Sequence, residues 1–188
     1  AWPGAEIKII RDDGTQADVD EQGTVYMRLG DTTKFEYKGD KAKTEKERLV
    51  IGDSVFFTVG DIGYMNSEDY LFLCDRKIDM IISGGANIYP AEIESVFLMH
   101  PKVQDVAVFG WPNEEWGEEI KAVVELNDEE ITEEDIKNDL MEFASKNLAK
   151  MKHPRSIDLI DKLPRDENGK LFKRKLRDPY WENQDRQV

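Results

Sequence analysis

The 188-residue chain has one cysteine and two histidines, which limits the chemistry that it can perform. Cys74 has no second cysteine with which to form an internal disulfide, so the chain fits a reducing compartment, and we expect a cytoplasmic protein. His100 and His153 have no cysteine or histidine neighbours at metal-ligand spacing. We therefore expect no metal site made by these residues.

Long apolar runs and an excess of positive charge are also missing. No segment approaches the roughly 20 apolar residues of a membrane-spanning helix, and the first residues lack a signal-peptide pattern. The chain has 40 acidic against 26 basic residues, a net charge of −14, which argues against a nucleic-acid-binding protein because such proteins need a basic face. Acidic residues are concentrated in 114–135, where we expect solvated helix and loop surface.

The hydrophobic pattern that is present changes near residue 76. Before it, a β-rich region is predicted, with strands at 6–10, 23–29, 56–59, 62–65 and 70–73 and a hairpin loop at 66–69 between the last two. After it, strands alternate with helices, and helix starts are predicted at Pro90 and after Thr132. The strands predicted in this second part span 103–109, 120–126 and 156–160.

These two patterns predict an α+β protein with two parts. Residues 1–76 would form the β-rich part and residues 77–188 a small α+β domain. The charged link at 76–79 has little apolar content and lies between the two patterns, so it is the expected hinge.

Three motifs supply the most specific functional signal. They are residues 60–64 (Gly-Asp-Ile-Gly-Tyr), residues 75–94 (Asp-Arg-Lys-Ile-Asp-Met-Ile-Ile-Ser-Gly-Gly-Ala-Asn-Ile-Tyr-Pro-Ala-Glu-Ile-Glu) and residues 163–170 (Leu-Pro-Arg-Asp-Glu-Asn-Gly-Lys). In order and spacing they resemble the late motifs of the adenylate-forming enzymes, a superfamily of acyl-CoA synthetases, firefly luciferase and the adenylation domains of peptide synthetases. The second motif is more similar to the acyl-CoA ligases than to the peptide-synthetase domains.

The resemblance implies that the chain is the C-terminal part of an AMP-forming acid–CoA ligase. Such an enzyme joins a carboxylic acid to ATP, forming an acyl-adenylate, and then transfers the acyl group to CoA. Residues 1–76 would belong to the barrel of the large domain, and residues 77–188 would be its mobile lid. The phosphate loop and acyl pocket would lie in the N-terminal domain, which would bind most of the ATP and Mg²⁺, so we expect the fragment alone to be inactive.

The resemblance also implies roles for individual residues. Lys170 corresponds to the lysine that stabilises the charge shared by the carboxylate and the α-phosphate during adenylation. Asp61 and Arg76 correspond to the residues that hold the nucleotide ribose. Gly84 and Gly85 correspond to a turn that lines the tunnel for the pantetheine arm of CoA, where a side chain would block passage.

Two positions depart from the family pattern. Ile78 occupies the place where relatives commonly have an aspartate or lysine as the pivot between the domains. We assign the hinge to Ile78 because rotation needs permissive backbone torsions rather than a charge. Asp69 replaces the usual glycine of a hairpin, which is tolerable because aspartate adopts the left-handed conformation at modest cost.

Without the resemblance, plainer interpretations of these residues stay open. Asp61 fits a turn aspartate that bonds its own backbone, and Arg76 fits a surface arginine paired with a neighbouring aspartate. Lys170 fits an exposed lysine in a basic C-terminal segment. For the whole protein, the alternatives are adenylation for a carrier-protein thiol or a luciferase-like oxidation, and a non-catalytic acidic interaction module.

Overall fold

The computed structural model describes residues 4–30, 35–127 and 132–182 of an α+β protein. The chain divides into two compact units, Ala1–Ile78 and Asp79–Val188. The division falls directly after Ile78, and the hinge function of that residue stays a prediction. None of the helices in the described ranges is long and apolar enough to cross a membrane.

In the described part of the first unit, six strands form an antiparallel sheet. They are β1 (Ala5–Ile10), β2 (Gly23–Leu29), β3 (Arg48–Ile51), β4 (Ser54–Phe57), β5 (Asp61–Met65) and β6 (Leu71–Arg76). The spatial order is β3-β4-β2-β5-β6, with β1 paired to β2, and a short helix α1 (Lys41–Lys46) precedes β3. The strands predicted at 6–10 and 23–29 are confirmed. Strand β3 was not predicted, because its side chains are mostly exposed and lack a clear alternation.

The residues of the first motif lie where β5 begins and runs beside β6. Ile62 is buried, and Gly63 has no room for a side chain, since a Cβ there would lie 2.5 Å from the carbonyl oxygen of Phe72. The register of the two strands shifts between Ile62 and Gly63, which is typical of a β-bulge. The second glycine of the motif is therefore required by the close approach of β6.

The second unit is a mixed sheet covered by helices. Its strands are β7 (Ile81–Ser83), β8 (Ala86–Ile88), β9 (Val103–Asn113), β10 (Gly117–Leu126) and β11 (Ser156–Leu159). Its helices are α2 (Pro90–Phe97), α3 (Glu133–Asn147) and α4 (Lys173–Arg177). Strand β10 pairs antiparallel with β9 and β7 and parallel with β11. Helices α2 and α3 contribute to one hydrophobic core with β9 and β10.

Local sequence signals account for the two long helices of this unit. Pro90 opens α2, and the hydroxyl of Thr132 caps α3 by accepting a hydrogen bond from the backbone N–H of Asp135 at 3.2 Å. Ile136 and Leu140 are fully buried, as a helical period of 3.6 residues predicts. Both predicted helix starts are therefore confirmed.

The prediction of solvated helix and loop for 114–135 is wrong for part of that segment. Residues 117–126 form β10, and Glu118 is buried with 4% of its surface exposed. The strand predicted at 120–126 is confirmed, but residues 117–119 were missed because the apolar residues that mark the strand begin only at Ile120. The acidic residues of 128–130 lie outside the described residues.

Candidate functional site

Strands β5 and β6 bring together the two residues predicted to hold the ribose. Asp61 and Arg76 are directly paired in the ladder, and the Nε of Arg76 lies 3.4 Å from Oδ1 of Asp61. The two side chains keep 27% and 52% of their surface exposed, so this ion pair contributes little to stability. The carboxylate of Asp61 therefore remains accessible to a ligand.

The turn before Asp61 is held by two hydrogen bonds of the Gly60 backbone. The N–H of Gly60 donates to the hydroxyl of buried Thr58 at 3.0 Å, and its carbonyl accepts from the N–H of Lys77 at 2.7 Å. Gly60 has a φ of +82°, a conformation that other residues rarely adopt. These contacts determine where β5 begins and hence where the Asp61 side chain projects.

Gly84 and Gly85 form a two-residue hairpin turn between β7 and β8. Ser83 pairs with Ala86 across it, and the two glycines have φ values of +57° and +79°. Two consecutive positive φ values are typical of the tight type I′ turn, which explains the paired glycines. The turn is also tied to the β9–β10 hairpin, because the N–H of Gly84 donates to the carbonyl of Trp116 at 2.8 Å.

The two glycines of this turn have different surroundings. A Cβ on Gly84 would lie 2.6 Å from Cε3 of Trp116, so the indole ring can occupy its position only because residue 84 has no side chain. A Cβ on Gly85 would meet no heavy atom within 4 Å among the described residues. Gly84 is therefore required for packing, and Gly85 borders open space.

A cleft of about 170 Å³ lies beside this turn in the second unit. Trp116 and Met151 line it and are 47% and 56% exposed, and Arg155 and His153 add polar groups. The ring Nε2 of His153 lies 3.0 Å from the carbonyl oxygen of Leu148, which orients the imidazole. Sequence reasoning missed Trp116 and Arg155, because neither lies in a recognisable motif.

Lys170 lies in a hydrogen-bonded loop between Arg165 and Leu171, which pair as a β-bridge. The Oδ1 atom of Asp166 accepts the backbone N–H groups of Asn168 and Lys170, at 2.9 and 2.8 Å. The Lys170 side chain is exposed. Its backbone is thus ordered by the loop, while its ammonium group is open to solvent.

The residues around the predicted hinge differ in their contacts. Ile78 is 60% exposed, so a backbone rotation there would break little packing. Asp79, the first residue of the second unit, is partly buried and lies 3.5 Å from Nη1 of Arg177 on α4. This ion pair ties the start of the second unit to its C-terminal helix.

Comparison with known proteins adds independent findings. Residues 92–170 match the family model of the AMP-binding enzyme C-terminal domain. A long-chain-fatty-acid–CoA ligase of Mycobacterium tuberculosis is 44% identical over 128 residues, which cover 68% of this chain and 25% of the relative. A 2-succinylbenzoate–CoA ligase of Geobacillus kaustophilus is 38% identical over 173 residues, covering 92% of this chain and 34% of the relative. A fatty acid–[acyl-carrier-protein] ligase of Streptomyces coeruleorubidus is 36% identical over 187 residues, covering 100% of this chain and 34% of the relative.

Solved structures of adenylate-forming enzymes share this fold. ATP-bound MatB from Rhodopseudomonas palustris superposes with a TM-score of 0.82 at 30% identity, over 96% of this chain and 35% of that one. The o-succinylbenzoate CoA synthetase of Bacillus subtilis, in complex with ATP and a magnesium ion, has a TM-score of 0.77 at 34% identity. The match covers 92% of this chain and 34% of that one. The chain spans about a quarter to a third of the length of the curated relatives named above.

Proposed function

The chain belongs, over residues 92–170, to the AMP-binding enzyme C-terminal domain family, and we propose that it is the C-terminal part of an AMP-forming acid–CoA ligase. In the first step the carboxylate oxygen attacks the α-phosphorus of ATP, and pyrophosphate leaves. In the second step the thiol sulfur attacks the acyl carbonyl, its proton passes to solvent, and AMP leaves. Since ATP and CoA are cytoplasmic metabolites, we also place the reaction in the cytoplasm.

The main support for this proposal is that Lys170 is exposed on an ordered loop. Its exposed ammonium stands on a loop whose backbone is tied down by Asp166. A positive charge carried on an ordered backbone can meet the negative charge shared by the carboxylate and the α-phosphate during adenylation. We therefore assign Lys170 to the adenylation step.

The Asp61–Arg76 pair supports a nucleotide site in the first unit. A carboxylate that remains accessible accepts hydrogen bonds from two adjacent hydroxyls, the arrangement that a ribose offers. Arg76 would orient that carboxylate and add positive charge beside the phosphates. Among the described residues no group of three or more carboxylate, imidazole or thiol side chains converges on a metal position. We assign the Mg²⁺ that accompanies ATP mainly to the N-terminal part of the proposed ligase.

The cleft beside Gly84 supports CoA as the acceptor of the acyl group. An exposed indole face at Trp116 suits an adenine ring, and the guanidinium of Arg155 suits a phosphate. The Gly84–Gly85 turn would let the pantetheine arm pass. One relative is a ligase for an acyl-carrier protein, and this keeps a carrier thiol as the second candidate acceptor.

Half-reaction assays of the full-length ligase test the proposal. We expect exchange of pyrophosphate into ATP only when a carboxylic acid is present, and thioester formation when CoA is added. The 188-residue chain alone should show no exchange, because the phosphate loop and acyl pocket are proposed to lie in the N-terminal domain of the ligase. Exchange that does not depend on an acid would contradict the ligase assignment.

Variants of the cleft distinguish the two acceptors. Trp116→Ala and Arg155→Ala should raise the KM for CoA while leaving pyrophosphate exchange unchanged, because the cleft is proposed to bind only the thiol substrate. If thioester formed on a phosphopantetheinyl carrier protein and not on CoA, the second candidate would replace the first. Lys146→Ala, a change on the exposed face of α3, serves as the control.

A further inference from the structure

Arg165 connects the Lys170 loop to the sheet of the second unit. Its guanidinium donates two hydrogen bonds to Asp105 on β9, with Nε 2.7 Å from Oδ2 and Nη2 2.8 Å from Oδ1. Its Nη1 donates to the carbonyl oxygen of Gly169 at 2.7 Å. One side chain therefore joins a strand, 60 residues away in sequence, to the peptide unit that precedes Lys170.

The same peptide unit is held on both sides. Arg165 binds its carbonyl oxygen, which belongs to Gly169, and Asp166 accepts its N–H, which belongs to Lys170. Because a peptide unit is planar, two such bonds determine its orientation. The N–H of Asp166 also donates to the carbonyl oxygen of Lys170 at 3.0 Å, so the peptide units on both sides of Lys170 are held and set the direction in which its side chain leaves the loop.

Two carboxylates of the sheet lie close to Arg165. Asp105 lies directly opposite Glu125 in the β9–β10 ladder, and like charges in that position destabilise a sheet. The hydrogen bond to Asp105, together with the negative charge of Asp105 and Glu125, raises the pKa of Arg165 above its usual value. Glu125 also accepts the N–H of buried Leu163 at 2.8 Å. Both carboxylates thus hold the segment that leads into the loop.

We propose that Arg165 is a positioning residue for adenylation, which holds the backbone of Lys170 so that its ammonium meets the α-phosphate in a fixed place. The inference rests on the proposed function, because it requires Lys170 to act in the first half-reaction. A planar guanidinium suits this task, since it binds a carboxylate with two parallel hydrogen bonds and has a third donor left. A lysine at the same position has one nitrogen and cannot reproduce that geometry.

The experiment measures both half-reactions of Arg165→Ala and Arg165→Lys in the full-length ligase, the second reaction from supplied acyl-adenylate. Misplacing a catalytic group by about 1 Å costs on the order of 10²-fold in rate. We expect pyrophosphate release to fall about 10- to 100-fold in both variants, while thioester formation stays within about twofold. Because Asp105 and Arg165 act as one unit, Asp105→Asn should add little to the loss in Arg165→Ala.

Lys162→Ala is the matched control, because it removes an exposed positive charge three positions upstream without a described contact to the loop. Hydrogen exchange of the peptide that contains Lys170 should rise in Arg165→Ala and stay unchanged in the control. Equal losses in both half-reactions, or rates equal to those of the control, would overturn the positioning role. If the wild-type enzyme showed no pyrophosphate exchange that depends on a carboxylic acid, the proposed function would be contradicted, and the inference about Arg165 would fall with it.

Discussion

Asp61 and Arg76 face each other across β5 and β6, with 3.4 Å between Oδ1 of the aspartate and Nε of the arginine. The pair is half exposed and adds little stability, so its role is best tested through ligand binding. Strand pairing brings together two residues that are 15 positions apart in the sequence.

Asp61→Ala in the full-length ligase should raise the KM for ATP about 10- to 100-fold, because hydrogen bonds to a charged group contribute about 1.5–3 kcal/mol. The free energy of unfolding should stay nearly unchanged. Steady-state kinetics with varied ATP measures the effect, and Glu68→Gln in the same hairpin is the control. An unchanged KM for ATP would contradict the assignment of Asp61 to the nucleotide site.

Lys170→Ala should lower the adenylation rate about 10²- to 10³-fold, which is the usual loss when a preorganised charge is removed. Thioester formation from supplied acyl-adenylate should be spared, because a residue absent from a transition state cannot lower its barrier. Stability should change by less than about 0.5 kcal/mol, since the side chain is exposed. Single-turnover assays and circular dichroism check both points. Loss of both half-reactions in a folded variant would contradict the assignment.

Gly84→Ala and Gly85→Ala should differ in stability although both positions have positive φ. The left-handed conformation costs each variant about 1–2 kcal/mol. Gly84→Ala should lose more, because its Cβ would lie 2.6 Å from the indole of Trp116. Urea unfolding measures the difference, and equal losses would contradict the packing role of Gly84.

Gly85→Leu should spare adenylation and impair thioester formation, because a side chain at this turn would project into the proposed path of the pantetheine arm. Gly85→Asn is the control, since asparagine tolerates positive φ and is smaller. Measuring both half-reactions tests the idea. Equal loss in the two steps would point to misfolding of the turn instead.

Asp139 on α3 should make the free energy of unfolding depend on pH in the acidic range. The hydrogen bond from Lys102, at 2.7 Å, lowers the pKa of Asp139. A carboxylate with a lowered folded pKa contributes stability above its unfolded pKa of about 4, and this contribution is lost as the pH falls through the folded value. Asp139→Asn should therefore unfold more easily than the wild type at pH 7, and the difference between the two proteins should be smaller at pH 2. A constant difference at both pH values would contradict the linkage.

Signals that depend on near neighbours were readable from the sequence. Pro90 and Thr132 mark helix starts, and the spacing of Ile136 and Leu140 marks a buried helix face, because capping and helical periodicity involve residues within four positions. The three motifs identified the family, whose model matches residues 92–170. The paired glycines at 84 and 85 are a local signal as well, since tight hairpin turns favour glycine at positive φ.

Contacts between distant segments were decided only by the tertiary structure. Which glycine of the turn is crowded depends on Trp116, more than 30 positions away, and the attachment of Lys170 depends on Arg165 meeting Asp105 across 60 positions. Trp116 and Arg155 become part of one cleft because the β9–β10 turn, β10 and the segment before β11 all line it beside the Gly84–Gly85 turn. The sequence by itself determined the family, the local elements and the residues that bear the proposed chemistry. The tertiary structure decided which side chains position them, because strand register and core packing depend on the whole chain at once.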